Sequence, residues 1–393
     1  MKVCSKNIYL LFISLCMVFL GCFSCNLSHF NARADAENEL NTSVEELLNE
    51  LDLSALEEYV SSLGNFGDTN VRERLLAYIK SGAVDYESIW KQLGEILFKS
   101  VMEIAPSFAC IAAIALLSGL ISTMKSASNI PTSSEMIFLI TYAATLIPLL
   151  AVLTECFQVS KTAVLSMQRQ MQLVFPLMLT LMATSGSAVS AAVCRPAVGF
   201  FSTNIVSVIS SVVYPITIAI LAFSMAGNIS KEVKISRFTA FFKSINKWII
   251  GICVSVFGIF FTLQGITSAS YDGIVRRAAK YAIGTGVPIV GGFLSGGFDL
   301  AVAGSVLIKN ALGSMSIFLM ISVLFEPLIL LISVNLLLRL TAAITQPIGD
   351  SRISDFLGET ADNLQYCTAG LLITAFLYFL SIMLMVCATE ALF

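Results

Sequence analysis

Apolar positions along this chain follow two different patterns. Between Val44 and Leu97 they recur with the period of a one-sided helix, so that Leu47, Leu48 and Leu51 share a face. Leu75, Leu76 and Ile79 do the same, as do Ile89, Leu93, Ile96 and Leu97. Such spacing predicts short amphipathic helices. Ser43-Val-Glu-Glu46 and Ser54-Ala-Leu-Glu57 have the capping-box spacing that satisfies free amides at a helix start, and Gly64 and Gly82 suit helix ends. From Ile104 onward the pattern changes to apolar runs of about 20 residues, long enough to cross a bilayer. The predicted spans are Ile104–Met124, Met136–Phe157, Leu173–Val193, Phe201–Ala226, Trp248–Thr267, Tyr281–Ile308, Ile317–Leu338 and Thr368–Ala388. Pro106, Pro148, Pro176, Pro215, Pro288 and Pro327 fall in or beside them and predict kinks.

Ahead of both regions lies a third. Lys2 and Lys6 precede the apolar run Ile8–Phe23, and Ala32-Arg33-Ala34 follows as a small-residue cleavage site. That is the plan of a secretory signal peptide. The expected organisation is a leader at 1–34, a small acidic helical extracytoplasmic segment at 35–100 and a polytopic membrane domain at 101–393. The fold class is all-α, with 7–8 spans expected.

Composition agrees with this division. Hydrophobic residues make up 56% of the chain and charged residues 12%, against about 25% charged in soluble domains. From Asp35 to Glu103 there are 15 acidic and 5 basic residues, and from Ala105 onward 11 acidic and 15 basic. No basic run is interleaved with aromatics, which argues against nucleic acid as a partner. The single histidine, His29, lies in the leader, as does the CxxC pair Cys22 and Cys25. A mature chain without histidine has no Ser–His or Cys–His chemistry, and no metal or cofactor site is expected. Cys367 stands alone near an expected loop. No GxxxxGK[ST] loop occurs, and the Gly284 to Gly291 spacing is not that of a dinucleotide fingerprint. The sequence therefore predicts no enzyme.

Asn228–Lys247 carries Lys231, Lys234, Arg237, Lys243 and Lys247 against Glu232, with Ile235, Phe238, Phe241 and Phe242 among them. This predicts an amphipathic helix at the cytoplasmic interface. Ser268–Lys280 is basic too, and a single predicted span separates the two loops, so both cannot be cytoplasmic. Counting spans from an exported N-terminus also puts Asn228–Lys247 outside. A re-entrant hairpin bent at Tyr214-Pro215 is one way out, and export of one basic loop is the other.

The candidate functional stretch is Lys280–Ser314. It contains Gly284, Gly286, Gly291, Gly292, Gly296 and Pro288, followed by Asp299 and Lys309. Gly and Pro disfavour a plain helix here, so the stretch reads as a kinked packing helix or a broken, re-entrant segment lining a path. Gly292 and Gly296 form a GxxxG pair. Lys309 and Arg339 stand at span ends, from which long side chains snorkel to the interface. Asp299 and Glu326 have shorter reach and read as members of an ion pair or as a proton or ion site.

KYAIGTGVPIVGG at Lys280–Gly292, the Asp that follows, and LIKNALG at Leu307–Gly313 resemble stage III sporulation protein AE of endospore-forming bacteria. LDLSALEEYV at Leu51–Val60 and SGAVDYESIW followed by ILFKSVM at Ile96–Met102 are similar as well. The resemblance implies a multi-pass, permease-like protein of the mother-cell membrane around the forespore. It further implies partners among the other stage III sporulation membrane proteins of one channel or secretion-like assembly, acting in late forespore development. An autonomous secondary transporter and a non-transporting scaffold are the competing readings. The Gly/Pro-rich stretch separates them, because a transporter needs a cavity there and a scaffold needs helix contacts.

Overall fold

The computed structural model describes residues 44–62, 71–81, 102, 104–114, 116–117, 132–229, 235–286, 291–347 and 351–390. The expected leader, its cleavage site, His29 and Pro288 lie outside them. The described residues are helical apart from their turns. Among the described residues three short helices come first: α1 at 44–50, α2 at Ser54–Ser62 and α3 at Val71–Ser81. After α4 (Ile104–Ile114) come α5 (Thr132–Thr184), α6 (Ala188–Phe200), α7 (Tyr214–Ile229), α8 (Ser236–Gly286), α9 (Gly291–Thr345) and α10 (Ser351–Glu390). Among the described residues, five helical stretches are long and apolar enough to cross a membrane: Phe138–Thr184, Thr203–Ile229, Ser236–Phe260, Leu300–Thr345 and Ser351–Cys387.

Helix α5 is the largest departure from the sequence reading. Met136–Phe157 and Leu173–Val193 are expected as two separate spans; instead α5 runs for 53 residues through the interval between them. The intervening residues include Lys161, Met167, Gln168, Arg169, Gln170 and Met171, all strong helix formers, with neither Gly nor Pro. Low hydropathy there marks an exposed face, on which Glu155, Gln158, Lys161 and Arg169 lie, and not an end of the helix. The helix stops later, inside the second expected span. Gly186 adopts φ 84, and the Ser187 and Gly186 amides donate to the Met182 and Ala183 carbonyls at 3.0 and 3.2 Å. This is the Schellman closure, which favours Gly because other residues resist positive φ.

From Ala188 to Ile229 the chain remains helical, so no hairpin forms at Tyr214-Pro215. Two π-helical segments, Phe201–Ile205 and Ile209–Val213, are inserted instead. The second lies immediately before Tyr214-Pro215, where the proline ring crowds the preceding turn and removes a donor. Helix α8 begins at Ser236 and continues through the expected Trp248–Thr267 span to Gly286. The expected interfacial helix is therefore its first three turns. Helix α9 likewise joins the end of the Tyr281–Ile308 span to Ile317–Leu338, and Pro327 lies inside it without ending it.

Helices α9 and α10 form an antiparallel hairpin, packed along α5. The Ser354 hydroxyl donates to the Ala342 carbonyl (2.8 Å), and the Asn335 amide to the Ala361 carbonyl (2.6 Å). Tyr142 packs on Phe356 at 4.9 Å between ring centres, and Phe175 on Tyr378 at 5.7 Å. Val44, Leu48, Leu53, Leu56, Val60, Val71 and Leu75 are buried in the same apolar core as these long helices. The acidic helices are thus docked on the bundle.

The start of α2 also differs in detail. Ser54 is its first residue rather than its cap, and the Asp52 carboxylate accepts from the Ser54 amide (3.2 Å) and hydroxyl. These bonds hold the Asp52 carboxyl below the usual carboxylate range.

Candidate functional site

The residues singled out from the sequence divide between two helices. Gly284 and Gly286 occupy the last turn of α8; Gly291, Gly292 and Gly296 open α9, with Asp299 a little further on. The side chains of 291–299 lie outside the described residues. A GxxxG pair at a helix start permits close approach of another helix.

Further along α9, Lys309 is fully buried and its amine donates to the Val386 carbonyl of α10 at 2.8 Å. It does not snorkel. The reason lies one turn on, at Gly313. A Cβ there would stand 2.7 Å from Val386 Cγ2 and 3.5 Å from both Ile382 and Met178. Absence of that carbon lets α9, α10 and α5 close together, and the Lys309 stem is enclosed as they do. Glu326 is exposed, beside buried Pro327. Arg339 behaves as expected of a span end: it is half exposed and pairs with Asp362 at 2.7 Å. Its Nε also donates to the Asn335 side chain at 3.0 Å.

Around Arg339 a polar end of the bundle takes shape. The Glu359 carboxylate accepts from the Ser224 hydroxyl (2.7 Å) and the Asn228 amide (3.2 Å). Tyr142 donates to the Met225 carbonyl at 2.7 Å, and the Arg352 guanidinium lies 3.8 Å above the Phe138 ring. Phe242 of α8 stacks on Phe223 at 5.3 Å. The start of α5, end of α7, starts of α8 and α10 and end of α9 therefore meet here, bringing Arg237, Lys243 and Lys247 to the same end as Arg339 and Arg352.

Toward the middle of α5 sits the acidic segment. The Tyr59 hydroxyl donates to the Ser166 carbonyl (3.3 Å), with the Arg169 guanidinium 5.8 Å from its ring centre. Burial raises the Tyr59 hydroxyl above its ordinary value despite that neighbouring cation.

Several buried polar groups had no sequence signal beyond being single polar residues in apolar runs. The Gln170 amide reaches the Leu319 carbonyl at 3.3 Å, and the Asn246 amide reaches the Thr217 hydroxyl at 3.0 Å. Cys367, expected near a loop, is fully buried within α10. Among the described residues, no three His, Cys, Asp or Glu side chains are placed to hold a metal.

Residues 70–389 match the protein family described as Stage III sporulation protein AE. Stage III sporulation protein AE of Bacillus subtilis (strain 168) is 24% identical over 298 residues, covering 76% of this chain and 75% of that protein. No solved structure matches.

Proposed function

From the chain's membership of the stage III sporulation protein AE family, we propose that it is a permease-like membrane component of the channel assembly joining mother cell and forespore, working in the mother-cell membrane with other stage III membrane proteins. The observation that carries this reading is the extent of the family match, which spans α3 to α10 and so takes in all five membrane-crossing candidates.

The bundle supports one orientation. With α5 as a single crossing, the span count shifts by one. An exported N-terminus then leads through the Ile104–Ile114 region to a cytoplasmic start of α5. From there α5, α6–α7, α8, α9 and α10 alternate direction. Arg237, Lys243, Lys247, Arg339 and Arg352 then all lie on the cytoplasmic side, as the positive-inside rule requires, and Ser268–Lys280 is the exported basic stretch. The acidic helices, docked through Tyr59, stand toward the opposite side. In this reading the leader is removed, and Gly284–Gly296, Pro288, Asp299, Lys309 and Glu326 remain the candidate packing or pathway positions.

Deletion of the gene in its endospore-forming host should arrest late forespore development. An affinity-tagged chain should restore spore yield and co-purify other stage III membrane proteins. Normal sporulation of the deletion strain would overturn the proposal. Restored yield with no co-purifying membrane protein after crosslinking would favour the autonomous transporter instead.

A further inference from the structure

One group of buried polar side chains is left over by the helix pairings above. Ser160 on α5, Tyr214 at the start of α7, and Asn363 and Cys367 on one face of α10 are each at most 2% exposed. The Cys367 thiol lies within weak hydrogen-bonding reach of the Ser160 and Tyr214 hydroxyls, and among the described residues neither hydroxyl has a partner of ordinary geometry. Asn363, one turn before Cys367, finds no partner among the described residues for its amide nitrogen or its amide oxygen. Burying such a group unpartnered is costly, so several together in one dry stretch of core would be unusual.

The surroundings are shaped to bring these groups together. At Gly370 a Cβ would meet the Tyr214 ring at 3.0 Å and Ile209 at 3.3 Å, so the missing side chain seats that ring against α10. Tyr214 follows the π segment Ile209–Val213 directly, and π insertions in α-helices are frequent at functional sites. Asn363 adjoins Asp362, whose carboxylate meets Arg339 at the polar end. Along α10, Asn363 and Cys367 thus follow the surface pair into the core. The buried groups carry no formal charge, which suits a neutral ligand better than an ion.

We propose that Ser160, Tyr214, Asn363 and Cys367 form an internal water site, in which bound water satisfies the Asn363 amide and bridges toward the two hydroxyls. Water has the donors and acceptors these groups lack, and buried waters commonly make two to four such bonds. The site is independent of the assembly role proposed above, because it is tested on the purified chain alone.

The test is hydroxyl-radical footprinting of the full chain in lipid nanodiscs, read by mass spectrometry. Bound water yields radicals in place, so a thiol beside it is modified even when shielded from bulk solvent. Cys367 should be modified several-fold faster than Cys194, which is equally buried on α6. Asn363→Leu should lower the Cys367 rate toward that of Cys194. Tyr214→Phe, which keeps the ring and removes only the hydroxyl, should lower it as well and provides the test if Asn363→Leu fails to fold. Equal rates at Cys367 and Cys194 in the unmodified protein would overturn the site. So would a Cys367 rate unchanged in folded Tyr214→Phe.

Discussion

Lys309 and Arg339 stand toward opposite ends of one helix, 30 residues or about 45 Å apart at 1.5 Å per residue. Each meets α10, yet their surroundings differ. Arg339 faces Asp362 with both side chains about half exposed, an arrangement of the kind that contributes about 0–1 kcal/mol. Lys309 is enclosed, its amine on a backbone carbonyl and its stem packed in the core. Residues of like charge, each at the end of an expected span, thus do different work. What separates them is the neighbour one turn away: Gly313 draws the helices together around Lys309, whereas Leu336 and Leu340 beside Arg339 are exposed.

That contrast can be broken most directly at Lys309. Lys309→Ala removes a long buried stem and should cost about 2–5 kcal/mol, the range for truncating long core side chains. Lys309→Met retains most of that volume and should be clearly milder. Thermal unfolding in detergent measures both. If Lys309→Ala were as mild as Arg339→Gln, the enclosure would have no energetic meaning.

Next in size is Gly313→Val, which drives a Cβ into Val386 and should cost about 1–3 kcal/mol by overpacking. Gly358→Ala on α10 is the matched control, since nothing lies within 4 Å of its added carbon. It should be neutral or stabilising by up to about 1 kcal/mol, the helix preference of Ala over Gly. Equal losses at both positions would show that helix approach at Gly313 is not what matters.

The smallest effect should come from the exposed pair. Arg339→Gln and Asp362→Asn should each shift stability by less than about 1 kcal/mol, with a double-mutant coupling of the same order that shrinks as salt is raised. A large, salt-insensitive coupling would mean that the pair is less solvated in the membrane than its exposure indicates.

The class of fold was legible because bilayer-length apolar runs leave few alternatives. Helix ends were harder to read. The polar middle of α5 divides it into two apparent spans because hydropathy reports the exposed face, while helix continuity depends on the absence of breakers. The Schellman turn at Gly186 lay inside an apolar run and was hidden by it. Lys309 and Arg339 could not be told apart, because their difference arises from Met178, Ile382 and Val386, distant in sequence. Ser160, Asn363 and Cys367 were silent for a similar reason: a single polar residue in an apolar span acquires meaning only from what the other helices bring to it.

The π segments of the α6–α7 stretch bear on how that stretch keeps its inner face in phase. Ile205, Ile209, Val213 and Thr217 are all buried, at a spacing of four. In an unmodified α-helix that spacing drifts by about 40° per step, enough over three steps to turn a residue well away from its starting face. Each wider turn takes up an extra residue and cancels part of the drift. The stretch therefore has slack inside its π segments, where a lost residue lets the wide turn tighten to an ordinary α turn and leaves Tyr214 on its face. The α-helical run after Tyr214 has none, and losing a single residue there would rotate everything beyond it by about 100° relative to α10.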